Sequence, residues 1–156
     1  MLAVFLALTI AQAAASLAPL PGWNAAPLQA SEYARYIRPE PDGTQSTLVA
    51  NTQVCDCQPA KLVSMLQTAL SVLPSAVFQI RAPETVCGQP ANRIVVTGLA
   101  GTSPGAQNFE MIAFRNGSTL YTLEYSFMQA APKPDAENAL ASLCPTSTPA
   151  PQAAPV

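Results

Sequence analysis

The sequence predicts an α+β domain, an antiparallel sheet of about five to six strands covered by a central helix and a C-terminal helix. Three observations carry that prediction. Two β-prone runs, Gln107 to Arg115 and Ser118 to Phe127, flank the turn-forming dipeptide Asn116-Gly117. Between Pro59 and Leu73 the apolar residues Leu62, Leu66, Ala69, Leu70 and Leu73 recur at helical spacing. The remaining β-prone segments follow one another through short turns, in the order β-β-α-β-β-β-β-α, which suits sequential hairpins and not a doubly wound parallel sheet.

Taken in order, residues 1–18 read as an export signal. Leu2 to Ile10 is an apolar run too short to span a bilayer, and small-residue cleavage patterns follow between Ala13 and Ala18. No Lys or Arg precedes the run, so the α-amino group alone supplies the positive charge. No cysteine follows the small residues, which argues against lipid anchoring there. Residues 19–30, rich in Pro and Ala, form an extended lead-in with Trp23 pinned against the domain. The domain itself is expected over 31–144. Tyr33 to Arg38 is a first, edge strand, ended by the turn-forming run Pro39-Glu40-Pro41-Asp42-Gly43, and Ser46 to Val54 is the second.

The helix from Pro59 has Asp56 as its expected cap and Pro74 as its stop. Val77 to Arg81 is the next strand, Cys87-Gly88-Gln89-Pro90 a turn held by a bridge, and Arg93 to Leu99 a β-branched strand. With Asn116-Gly117 as the hairpin loop, Arg115 faces Ser118, Phe114 faces Thr119, Ile112 faces Tyr121 and Asn108 faces Tyr125. Alternation then puts Phe114, Ile112, Tyr121, Leu123, Tyr125 and Phe127 on one face, with Glu110 among them. Arg115, Met111, Thr122, Glu124 and Ser126 take the other. A last helix is expected from Asp135, as cap, to Leu143. Residues 145–156 are low-complexity and expected to be disordered.

Function classes are narrowed mainly by exclusion. The chain of 156 residues is 10% charged with net charge −2, so the basic footprint of a nucleic-acid binder is missing. It contains no histidine, which removes Ser-His-Asp and Cys-His catalysis and the commonest zinc ligand. No glycine-rich phosphate loop follows a strand. No cofactor is expected.

The four cysteines, Cys55, Cys57, Cys87 and Cys144, suit an oxidising compartment and read as two bridges. A Cys55–Cys57 bridge would be strained. That leaves Cys55–Cys87 with Cys57–Cys144, or the crossed pairing. The alternative use of Cys55-Asp56-Cys57 is a redox disulfide or a two-thiolate Cu(I) site near a helix start. Glu110, on the apolar face, reads either as a rim position near the sheet edge or as paired with an arginine on a neighbouring strand, such as Arg93 or Arg81. Asn116-Gly117-Ser118 matches the N-glycosylation sequon. Tyr121, Tyr125, Phe114 and Phe127 are the residues that could line a ligand groove, although core packing is the better explanation of them.

The early Trp23, the strand pair, the covering helix, Cys87-Gly88-Gln89-Pro90-Ala91, the hairpin with Tyr121 and Tyr125, and the closing Glu137-Asn138-Ala139-Leu140 together resemble the PsbP-like superfamily over roughly residues 23–144. That resemblance implies a binding or accessory role. The sequence therefore predicts an exported, periplasmic or secreted, non-catalytic protein. Its expected partner is another envelope or secreted protein, or a small apolar ligand.

Overall fold

The computed structural model describes residues 18–145. The expected export signal, apart from its last residue, and nearly all of the Pro-rich tail lie outside the described residues. Within them the chain forms β1 (Asn24–Ala25), β2 (Glu32–Pro39), β3 (Gln45–Val54), α1 (Pro59–Leu70), β4 (Val77–Ile80), β5 (Glu84–Val86), β6 (Gln89–Thr97), β7 (Asn108–Asn116), β8 (Thr119–Phe127) and α2 (Pro134–Ala141). All strands join one antiparallel sheet of 8 strands in the order β1-β2-β3-β8-β7-β6-β4, with β5 also paired to β6. The count exceeds the expected five to six because β1 and β5 are two and three residues long and carry no legible alternation.

The hairpin register also differs from expectation. Asn116 pairs with Thr119, Phe114 with Tyr121 and Asn108 with Phe127, so the loop is Gly117-Ser118. Gly117 alone supplies the positive φ, at 62°, which places it first in the two-residue loop and moves every pairing by two positions. An even shift leaves the faces unchanged. The turn at Cys87-Gly88 has positive φ at both residues, 53° and 75°, and Gln89 and Pro90 belong to β6.

Both helices begin with proline in the first turn. Neither has a side-chain cap: Gln58 and Lys133 stand at the N-cap positions in place of Asp56 and Asp135. α1 ends at Leu70, short of Leu73, and α2 at Ala141.

Alternation divides the strands between two cores. On the first face, Leu48, Ala50, Val95, Ile112, Phe114, Leu123, Tyr125 and Phe127 pack with Trp23, Tyr36 and the α2 residues Ala136 and Leu140. On the second, Ile94, Val96, Met111 and Leu99 pack with Val63, Leu62 and Leu66 of α1. The two helices therefore cover opposite faces. Gly98 ties the second layer: a Cβ there would stand 1.9 Å from the Ser75 carbonyl oxygen, so only glycine lets the chain ahead of β4 approach the end of β6.

Candidate functional site

α2 closes the first face through charge as well as packing. Glu40, buried at the β2–β3 turn, accepts hydrogen bonds from Lys133 at 2.6 Å, Ser46 at 2.7 Å and Arg38 at 3.0 Å. Burial alone would raise its pKa, but these donors outweigh it and hold the carboxyl below the usual range. Arg38 also reaches Asp135 at 2.6 Å and lies 4.3 Å from the Trp23 ring centroid. Further along the helix, Glu137 accepts from Arg81 at 3.0 Å and lies 4.0 Å from Arg93. Arg93 in turn donates to Glu84 and to Glu110.

Glu110 is thus paired with the arginine of the neighbouring strand, one of the two partners its position suggested. It is fully buried, and its Oε2 has no hydrogen-bond partner. Desolvation pushes its pKa up to about 7 against the pull of Arg93, and Glu137 adds to the rise. Two carboxyls converge here, but beneath a helix and gripped by arginines. The cluster fastens α2 to the sheet.

The sulphurs correct an expectation. Cys55 bridges to Cys57, and Cys87 to Cys144. In an extended chain, residues two apart stand about 7 Å from each other, too far for an easy bridge. The chain bends at Cys55 as β3 gives way to α1, and the two Cα atoms come to 5.3 Å, inside the normal range for a bridge. The second bridge spans 57 residues and fastens the end of α2 to the β5–β6 turn, with Cα atoms 5.4 Å apart.

The hairpin aromatics take the core-packing role, the more favoured of the two that the sequence offered them. Tyr125, Phe114 and Phe127 are wholly buried in the first core, and Tyr121 packs on them, stacked on Phe114 with centroids 5.0 Å apart. α2 and Trp23 pack over this aromatic cluster.

The groove is on the other face. α1 lies mainly against β6 and β7, leaving a hollow between it and the strands beyond. A cavity of about 510 Å³ opens between Leu62 and Leu66 of α1 and the strands β7, β8 and β3. Phe109, Met111 and Leu120 form its apolar part, while Thr122, Glu124, Ser126, Gln53 and Gln107 give it a polar wall. Desolvation raises the pKa of Glu124, with Glu32 adding and Arg35 opposing. The signal for this site was present in the sequence, in Phe109 and Met111 alternating on the face opposite the aromatics, with Leu62 and Leu66 one helical turn apart. A second hollow of about 390 Å³ adjoins it, sharing Gln53, Leu120 and Thr122.

Among the described residues no group of three or more potential metal ligands converges, and no helix is long and apolar enough to cross a membrane. No family model and no curated protein matches the chain. Among solved structures it is similar to LpqN of Mycobacterium tuberculosis, a protein involved in cell envelope biogenesis, with TM-score 0.51 and 17% identity over 73% of this chain and 70% of that one. At that identity the likeness shows the fold alone.

Proposed function

We propose that this is an exported accessory protein of the cell envelope that holds a small apolar or amphipathic ligand in the groove beneath α1 without turning it over. The observation that carries the reading is the groove itself. Its volume of about 510 Å³ falls within the range of small-molecule sites, roughly 300–1,000 Å³, and its lining joins an apolar floor to one polar wall. The absence of histidine and the arginine-held state of the buried carboxylates support a non-catalytic role. Export is supported by the apolar N-terminal run, by two disulfides and by an envelope protein among the fold neighbours. The PsbP-like order of elements points the same way, toward binding or assembly.

The test is a titration of the purified protein with an environment-sensitive naphthylamine probe. Saturable binding is expected for the native protein. Leu66→Trp, which fills the groove from the half-exposed helix face, is expected to weaken it at least about tenfold while leaving the fold intact. Probe binding that is unsaturable, or equal in the two proteins, would contradict the reading.

A further inference from the structure

The two edges of the sheet are finished differently. At one end, β2 is capped by the two-residue β1 and carries Glu32, Arg35 and Arg38, charges of the kind that blunt an edge. At the other end stands β4, Val77-Phe78-Gln79-Ile80, with no charge and no proline. Four of the large exposed hydrophobics lie in the segment 72–80: Val72 at 79%, Leu73 at 41%, Val77 at 61% and Ile80 at 55%.

The pairing with β6 fixes which backbone groups are free. Arg81 donates its N–H to the Arg93 carbonyl at 3.0 Å, so in the same register Gln79 and Val77 bond inward to Val95 and Thr97. The N–H and C=O groups of Phe78 and Ile80 therefore point outward, with no strand beside them among the described residues.

We infer that β4 is a self-pairing edge, joining a second copy of this chain through antiparallel β4–β4 hydrogen bonds about a two-fold axis at Gln79. Phe78 then exchanges main-chain bonds with the partner's Ile80, and Ile80 with the partner's Phe78, so every free edge group of both is satisfied at once. A second copy fits better than a different protein's strand because the match is self-complementary. The only charge at the rim, Arg81, faces the apolar Val77 of the partner subunit and is already neutralised by Glu137 at 3.0 Å. The pairing closes after two copies, since it uses up the edge that makes it. It leaves the groove beneath α1 out of the contact, so it stands or falls separately from ligand binding.

Sedimentation equilibrium of the full mature chain, up to millimolar concentration, provides the first readout, with a monomer–dimer equilibrium expected. Ile80→Pro removes an N–H that the fold does not use and is expected to raise the dimer dissociation constant about tenfold or more, with helix and strand content and Tm retained. Ile80→Val keeps the N–H and is expected to keep the dimer. Amide exchange in the native protein gives a readout independent of any variant: Phe78 and Ile80 become protected as concentration rises, while Gln79 is protected throughout. A protein monomeric at every concentration, a dimer indifferent to Ile80→Pro, or a dimer with Phe78 and Ile80 amides unprotected would each overturn the inference.

Discussion

The two faces of the sheet are built from the same strands and end in opposite conditions. The first is filled: large aromatics interlock, a helix seals them, ion pairs fasten that helix at its start and middle, and a bridge spanning 57 residues locks its exit. The second is covered by α1 over β6 and β7 and left open over β8 and β3. A sheet needs one well-packed face to be stable. Once the first face supplies that, the second is free to carry a cavity, and the polar side chains on β8 and β3 keep the open part compatible with water.

That division can be attacked in order of expected effect. Replacing Cys87 and Cys144 by serine should cost about 4 kcal/mol of stability from loop entropy alone, whereas replacing Cys55 and Cys57, which close a loop of almost no length, should cost no more than about 1–2 kcal/mol. Chemical denaturation of the two double variants measures the contrast. Equal losses would show that the short bridge has a role beyond its loop.

Next, Leu140→Ala on the sealed side should lose about 3 kcal/mol, because Leu140 is fully buried in the packed first core. Leu66→Ala on the groove side should lose less than about 1.5 kcal/mol, since one flank of Leu66 already faces the cavity.

A subtler effect concerns pH. The Glu110 carboxyl is raised from 4.5 to about 7 in the folded protein, so between those values the folded chain holds a proton that the unfolded chain has released. The proton favours folding. Stability is therefore greatest below pH 4.5 as far as this group is concerned, and declines as pH rises toward 7, with a slope of at most about 1.4 kcal/mol per pH unit. Glu110→Gln, which stays neutral, should flatten the decline across that window in pH-dependent denaturation. A stability that rises over the same window in the native protein, and flattens in the variant, would mean that Arg93 outweighs burial.

Much of this frame was legible in the sequence. The division of β7 and β8 into two faces follows from alternation alone and survived a register error, because the error was an even number of residues. Helix positions followed from the Leu62–Leu66–Leu70 spacing, but their caps did not: proline in the first turn made a capping side chain dispensable at Gln58 and Lys133. The bridge pairing was not legible, because spacing along the chain says nothing of a bend at Cys55. The hairpin aromatics read more readily as core than as groove, and the structure buries them. Aromatic bulk is what a sealed face needs, and cavities are left where smaller and mixed side chains meet a helix too short to cover them.

The claim that one face holds and the other binds is most directly tested by methyl-resolved NMR during titration with an apolar probe. The account expects shifts at Met111, Leu62, Leu66 and Leu120, with Ile112, Leu123, Leu140 and Leu143 unmoved. Shifts confined to the second set, or spread evenly over both, would contradict it.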